Sequence, residues 1–377
     1  MKKATVLVIG SLAESLVKFR GDLIREMLAG GHSVHTVAPA GPAWVTDTLA
    51  EWGAHHHVVE LQRAGLNPLK DLAFARHIIR LCRELRPDVL LAYTVKPVVY
   101  GALAGRWCGV PTIATMVTGL GFAFMPVRGW RHALTRGVAW LLYKSAMHSA
   151  HCVFFQNPDD RADFQRLALL NRRLRVGMVN GSGVNLDHYT HSPLPEGTPR
   201  RVLLIARLLA DKGVREYIEA ARLVRKRHPD VVFEIIGPFD PNPAAIRKAE
   251  IEAAVQDGSV RYLGPMDDVR PALRGCHVYA LPSYREGTPR SVLEAMAMGR
   301  PVVTTDAPGC RETVVDGLNG RMVPPRNAQA LANALDQMLT LDRTALQRMG
   351  NEARRMAEEK YDVHRVNRQL MEPMGLC

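Results

Sequence analysis

The 377-residue chain is short of the features that most quickly place a protein. Its six cysteines (Cys82, Cys108, Cys152, Cys276, Cys310 and Cys377) form no C-x-x-C pair, which argues against a disulfide scaffold or zinc ribbon and fits a reducing cytosol. No uninterrupted apolar run approaches the ~20 residues of a membrane-spanning helix. The apolar stretch behind Lys2 and Lys3 spans only Ala4 to Gly10 and reaches Glu14 without a small-residue cleavage pattern, so a first β-strand is expected rather than a signal peptide. That strand is followed by Gly10-Ser11-Leu12-Ala13-Glu14-Ser15; without G-x-G-x-x-G, a dinucleotide oxidoreductase is a poor reading. No well-placed D-x-D pattern offers a metal its ligands, and the adjacent pairs Asp159-Asp160 and Asp267-Asp268 read as helix N-caps. His55-His56-His57 do not replace it, because consecutive strand residues point to opposite faces. Neither a metal nor a cofactor is expected.

What the sequence does hold is the grammar of a large α/β protein. With 47% hydrophobic and 23% charged residues, a chain of this length suits two cores rather than one, and neither disorder nor collagen. Short β-branched runs at 5–9, 33–38, 57–61, 89–93, 112–116 and 152–156 alternate with amphipathic stretches at 16–29, 68–85 and 98–107, as in βαβ units around a parallel sheet. The Pro-rich segment 191–199 reads as a linker. The pattern then restarts, with strands at 201–206, 231–236, 260–263, 278–281 and 302–304 and helices at 214–227, 243–255, 289–298 and 328–339. Residues 1–190 and 191–355 are therefore expected to be two doubly wound, Rossmann-like domains. The charged helical segment near the C-terminus, 356–377, is expected to cross back to the first. Ligands of such sheets bind beyond the C-terminal ends of the strands.

The net charge of +12 is uneven, with 22 Lys and Arg against 13 Asp and Glu in residues 1–190. A basic half can serve nucleic acid, an anionic membrane or a phosphate-bearing substrate, or simply keep the protein soluble. Charge alone leaves these open. A non-enzymatic nucleic-acid binder is disfavoured because the cations spread over two α/β halves with no recognition module.

Two segments of the second half carry chemistry. In Arg207-Leu-Leu-Ala-Asp-Lys-Gly213 two cations lie between a strand end and a helix start, where guanidinium, ammonium and helix dipole together can bind a diphosphate. The alternative there is a surface pair with Asp211. In Pro282-Ser-Tyr-Arg-Glu-Gly-Thr-Pro-Arg-Ser-Val-Leu-Glu294 a loop turns on Gly287 and a helix opens at Pro289. Glu286 and Glu294 can accept hydrogen bonds from sugar hydroxyls, and the amides near Thr288 suit phosphate or hydroxyl oxygens. Equally, Glu286 could be a helix-dipole acid and Glu294 a paired helical residue.

In combination, and with Thr305-Asp-Ala-Pro-Gly-Cys-Arg-Glu312, Tyr93-Thr-Val-Lys-Pro97, Thr118-Gly-Leu-Gly121 and Gln156-Asn-Pro-Asp-Asp160, these segments resemble glycosyltransferase family 4 along the whole chain. The likeness is to the subgroup that builds bacterial surface polysaccharides and lipid-linked oligosaccharides. It implies the GT-B fold, with two domains facing across a cleft, and a retaining, metal-independent transferase using a nucleotide-sugar donor, most often UDP-linked. Arg207 and Lys212 would hold the diphosphate and stabilise the leaving nucleotide. Glu294 would take the ribose hydroxyls, and Glu286 with Gly287, Thr288 and Pro289 the donor sugar. Gly264 and Met266 would meet the base, and Gly10 and Ser11 would approach the diphosphate. Where some members carry His-Glu-Pro, this chain has Val95-Lys96-Pro97. No side chain is therefore assigned as general base; the leaving phosphate oxygen can take the acceptor proton, and Lys96 is a candidate phosphate ligand.

For the acceptor side, Gly119 and Gly121 suggest a flexible loop. The segment 128–148 mixes cations with Trp130, Trp140 and Tyr143, and its Leu134, Val138, Leu141 and Leu142 recur at helical spacing. This favours either a membrane-interface helix or a core helix with a basic back. The expectation is a cytoplasmic enzyme that meets a polyprenyl-diphosphate-linked glycan on the anionic inner membrane and binds no nucleic acid. The alternative is a UDP-sugar 2-epimerase of the same fold, although the acid/base residues it would need are not evident.

Overall fold

The computed structural model describes residues 3–62, 67–119, 130–242 and 244–377. The chain divides into two units, Met1–Ser182 with Val363–Cys377, and Gly183–Asp362. The sequence division at 190/191 and 355/356 is thus displaced to 182/183 and 362/363. The physical reason is that the chain just after the first crossing is paired to the chain just before the second: Val184 N–H donates to the Tyr361 carbonyl at 2.8 Å.

The first unit contains β1 (Thr5–Ile9), α1 (Ala13–Lys18), α2 (Gly21–Ala29), β2 (Ser33–Ala38), α3 (Ala43–Glu51), β3 (His55–Val58), α4 (Pro68–Leu85) and β4 (Val89–Tyr93). A π-helical turn, Pro97–Gly101, leads into α5 (Ala102–Trp107), then β5 (Thr112–Val117), α6 (Trp130–Ser149), β6 (Cys152–Phe155), α7 (Pro158–Arg166) and β7 (Arg175–Met178). All pairings are parallel, in the order β3-β2-β1-β4-β5-β6-β7. Both faces of the sheet's centre are covered, which is why the central strands β1, β4 and β6 are apolar almost throughout rather than alternating. On one face Phe74 and Ile78 of α4, Ala102 of α5, and Tyr143 and Met147 of α6 fill a core.

The second unit contains β8 (Arg201–Ile205), α8 (Val214–Arg225), β9 (Val232–Ile236), α9 (Lys248–Gln256), β10 (Arg261–Tyr262), α10 (Arg270–Gly275), β11 (Val278–Leu281), α11 (Arg290–Ala297), β12 (Val302–Thr305), β13 (Gly320–Val323), α12 (Ala328–Thr340) and α13 (Arg343–Met356). Its sheet is also parallel, in the order β10-β9-β8-β11-β12-β13, around one core. After a π-helical turn, Ala357–Tyr361, the chain returns to the first unit as α14 (Val363–Met374). There Leu370, Met371 and Met374 share the opposite core of the sheet with Leu23, Ile24 and Met27 of α2.

Several expected elements shift. The stretch expected as one helix over 16–29 is two, with Phe19 and Arg20 between them; Arg20 is buried, with its guanidinium 5.1 Å from the Tyr93 ring. β3 starts at the histidines, two residues before the expected strand. The helix expected from 243 begins at Lys248. The acidic pairs are not the N-caps: Asn157 Oδ1 caps α7 by accepting from Asp160 N–H at 2.8 Å, and Val269 occupies the cap position of α10. Asp268 instead accepts from the Arg270 guanidinium at 2.8 and 2.9 Å.

Candidate active site

In each sheet the strand order reverses beside the first strand of the unit, between β1 and β4 and between β8 and β11. At such a switch point the loops leaving neighbouring strands diverge to opposite faces and open a crevice. The sequence candidates sit there, Arg207 and Lys212 after β8 and Glu286 after β11.

Backbone hydrogen bonds hold the two loops of the second unit together. Tyr284 N–H donates to the Asp211 carbonyl at 2.8 Å, and the Ser283 hydroxyl donates to the same oxygen at 3.0 Å. Gly213 has φ +70, and a Cβ there would overlap the Pro282 carbonyl. Glycine is therefore required on both counts. Gly213 is also the N-cap of α8, so the positive end of that helix dipole adjoins Lys212.

Lys212 Nζ donates to Glu286 Oε1 at 2.5 Å, with the two side chains 16% and 14% exposed. The sequence alternative, a pair with Asp211, is not formed. A largely buried ion pair between two candidate ligand-binding groups fixes them near each other. Glu286 N–H donates to the Pro308 carbonyl at 2.9 Å. Gly309, φ +79, lies so close that a Cβ would strike the Glu286 and Gly287 carbonyls. The nearby Cys310 thiol is pushed up to about 12, first by burial and then by the Glu286 charge.

Arg207 is paired with Asp240, Nη1 to Oδ2 at 2.7 Å. Asp240 is held in turn, its Oδ1 accepting from Asn242 N–H at 2.9 Å. The segment after β9 clasps the Arg207 loop: Leu208 N–H donates to the Pro238 carbonyl at 3.0 Å, Ala210 N–H to Ala244 at 3.0 Å, and Ile246 N–H to Leu208 at 2.9 Å. Residues 244–246 are engaged in this clasp, so the helix starts later than 243; Pro243 itself lies outside the described residues.

Glu294 lies in α11 and is buried. Its Oε1 accepts from Arg290 Nε at 2.8 Å and from the Tyr189 hydroxyl at 2.9 Å. Burial and then the Glu294 charge hold the Tyr189 phenol well above its ordinary range, so it stays a donor. Pro289 is the N-cap and not the first turn, with Arg290 opening the helix. Thr288 and Gly287 lie in the intervening loop. Gly264 has φ +76 and its carbonyl accepts from Gly237 N–H at 3.0 Å, while Met266 is 39% exposed.

In the first unit, Gly10 N–H donates to the Val37 carbonyl at 2.9 Å, and Ser11 Oγ accepts from the Thr94 hydroxyl at 2.9 Å. Thr94 itself has φ +68, an uncommon conformation for a β-branched residue that tends to mark functional sites. Lys96 Nζ donates to buried Asp71 at 2.7 Å, and the Tyr100 hydroxyl donates to the other Asp71 oxygen at 3.2 Å. Gly119 has φ +136; Gly121 lies outside the described residues.

Three groups escaped the sequence reading: Asp240, Tyr189 and Asp71 come from loops or helices far along the chain and carry no local signal.

The second unit thus gathers cations beside a helix N-terminus and carboxylates on the next loop and helix, groups that can hydrogen-bond phosphates and hydroxyls. Comparison with known proteins shows the family. Residues 199–341 match the family model "Glycosyl transferases group 1" and 17–179 match "Glycosyl transferase 4-like domain". The chain is 30% identical over 351 residues to the N,N'-diacetylbacillosaminyl-diphospho-undecaprenol alpha-1,3-N-acetylgalactosaminyltransferase of Campylobacter jejuni, covering 90% of each. The chain belongs to the family 4 glycosyltransferases. This glycosyltransferase is also 23% identical to the capsular polysaccharide biosynthesis glycosyltransferase CapM of Staphylococcus aureus, over 74% of this chain and 77% of that one. Its fold is GT-B, as shown by a TM-score of 0.78 to Anabaena Alr3699/HepE solved in complex with UDP and glucose, at 20% identity over 99% of both chains. The alternative of a sugar-nucleotide epimerase finds no support among these glycosyltransferase relatives.

Proposed function

We propose that this glycosyltransferase moves a hexose or N-acetylhexosamine from a UDP-sugar to a polyprenyl-diphosphate-linked glycan in the assembly of a bacterial surface polysaccharide, with retention at the anomeric carbon. The observation that carries the donor half is the Lys212–Glu286 pair at the N-terminus of α8, with Arg207 on the same loop and Glu294 on the helix behind. An incoming diphosphate finds two cations and a helix dipole already aimed. Arg207 and Lys212 stabilise the charge that grows on the departing nucleotide. Glu286, with Gly287 and Thr288, receives the sugar hydroxyls, Glu294 the ribose, and Gly264 and Met266 the base. Two cations meet the phosphates, so the reaction needs no metal ion. UDP as carrier is supported by the UDP complex of HepE. The acceptor class is supported by the Campylobacter enzyme's undecaprenyl-diphosphate-linked substrate. In the first unit Ser11 serves the donor diphosphate and Lys96 a phosphate of donor or acceptor, and the enzyme works peripherally on the cytoplasmic face of the inner membrane.

A screen of UDP-, GDP- and dTDP-sugars against polyprenyl-diphosphate glycans, followed by anomeric analysis of the product, tests the reading. Transfer from a UDP-sugar with retention, unaffected by a chelator, is expected. Donor consumption without any glycosylated acceptor, or an inverted product, would overturn it.

A further inference from the structure

The Lys212–Glu286 pair of the second unit has a counterpart at the switch point of the first. Just past the end of β4, Lys96 Nζ donates to Asp71 Oδ1 at 2.7 Å, with the two side chains 12% and 3% exposed. Asp71 lies in the first turn of α4, where the helix dipole favours a carboxylate. Its other oxygen accepts from the Tyr100 hydroxyl at 3.2 Å. Burial and then the Asp71 charge push the Tyr100 phenol up to about 12, so it remains a donor at neutral pH. The Tyr100 ring is held in turn by buried Phe74, which it meets edge-on with centroids 6.3 Å apart.

The backbone is shaped to bring Lys96 to that carboxylate. Thr94, the residue after β4, takes its φ of +68 and is tied by its hydroxyl to Ser11. The chain then turns straight into helix, with Val98 N–H donating to the Thr94 carbonyl at 3.0 Å. Pro97–Gly101, which carries Tyr100, is wound as a π-helical turn, a rare form that recurs at functional sites. A tie between α4 and the β4 exit needs none of this. Two apolar side chains would join them as well or better, because burying an ion pair roughly cancels its own attraction. What the acid adds is a fixed direction for the lysine.

We propose that Asp71, with Tyr100, is a positioning residue that holds Lys96 ready for a substrate phosphate oxygen at the crevice of the first unit. An ammonium has three N–H donors; Asp71 takes one and leaves two for the ligand. A free lysine gives up rotamer freedom when it binds, whereas this one has given it up already. The inference rests on Lys96 being a phosphate ligand, as proposed above, and adds the residues that aim it. The phosphate belongs to the nucleotide-sugar or to the lipid-linked glycan, and kinetics tell the two apart.

The test is the initial rate of Lys96→Met, Asp71→Asn and the double variant, with donor and acceptor varied in turn. Each single variant is expected to raise the KM of one substrate about tenfold and to change kcat less. A rise for the donor assigns the nucleotide diphosphate, and a rise for the acceptor assigns the lipid diphosphate. The double variant should be no worse than Lys96→Met, because Asp71 acts through that lysine. Tyr100→Phe keeps the ring, should shift the same KM by less, and carries the test should Asp71→Asn fail to fold. Titration with inorganic diphosphate, which needs no turnover, should weaken in Lys96→Met and Asp71→Asn alike. An acid that serves stability alone would lower the melting temperature and leave both KM values unmoved in the folded variants. That result, or additive losses in the double variant, would overturn the proposal while wild-type transfer upholds the function proposed above. A wild type that transfers no sugar, with the diphosphate titration weakened as expected, would overturn that function and leave this inference standing.

Discussion

The Lys212 ammonium rests on Glu286, and that choice of partner shapes what substitution should do. Lys212→Ala removes a cation proposed to meet the donor phosphates and also strands a largely buried carboxylate. Glu294→Ala removes an acceptor that holds both Arg290 and Tyr189. Each is expected to lower kcat/KM on the order of a hundredfold or more, the range seen when one charge-stabilising group is lost. Near wild-type turnover of the two variants in a donor-saturation assay would defeat the assignment. Asp240→Asn should act more gently, raising the donor KM several-fold through a less fixed Arg207; a double-mutant cycle with Arg207→Ala would reveal whether the two effects couple. Arg207, Lys212, Glu286 and Glu294 could be named as candidates from the sequence, but spacing alone left each open to a structural role, and only their combination along the chain singled them out. Asp240 and Tyr189 were not, since each is 33 and 105 residues from the group it serves and only the folded sheet brings them near.

At the scale of elements, the strands that alternate with long amphipathic helices were readable almost to the residue, as at Thr5–Ile9, Val89–Tyr93 and Val278–Leu281. The edge strands Arg175–Met178 and Gly320–Val323 were missed. They are short, contain glycine and cations, and are half-buried at best in their middle positions, so pairing rather than pattern defines them. β3 was displaced for a related reason: its histidines form the ladder with β2, His35 opposite His55 and Val37 opposite His57. The alternation argument holds in detail. His55 and His57 stack on His35, with ring centroids 4.8 and 5.3 Å away, while His56 meets Thr36 at 2.9 Å. Burial, then repulsion from His55 and His57, lowers His35 from 6.5 to about 4, and His56 and His57 are lowered too, chiefly by burial. Groups whose folded pKa is depressed in this way favour the native state while neutral. Their contribution is complete above about pH 6.5 and is lost as pH falls towards 4. Thermal midpoints measured across that window should drop more steeply for the wild type than for His35→Asn. Parallel curves would show that the stack titrates without stabilising. The loops obey a different constraint: Gly309→Ala, with φ +79 and no room for a Cβ, should cost about 1–3 kcal/mol and weaken donor binding, read by denaturation and by nucleotide titration.

For the molecule as a whole, the return of α14 to the first unit is the feature with the widest reach. Leu370 is fully buried there among residues of α2 and the sheet. Leu370→Ala should destabilise that unit by about 2–5 kcal/mol. Deleting 363–377 should do more, exposing the surface that Met371 and Met374 cover. Calorimetry that shows thermal unfolding unmoved by the deletion would contradict this.

That arrangement has a consequence for synthesis. A ribosome makes 1–182 first, then the whole of the second unit as one unbroken stretch, and only afterwards the helix that closes the first core. The unit begun earliest is therefore finished last. While 183–362 is being translated and completing its own sheet, the nascent first unit waits with the Leu23–Ile24–Met27 face of α2 uncovered, and this is the interval in which a chaperone would find the chain.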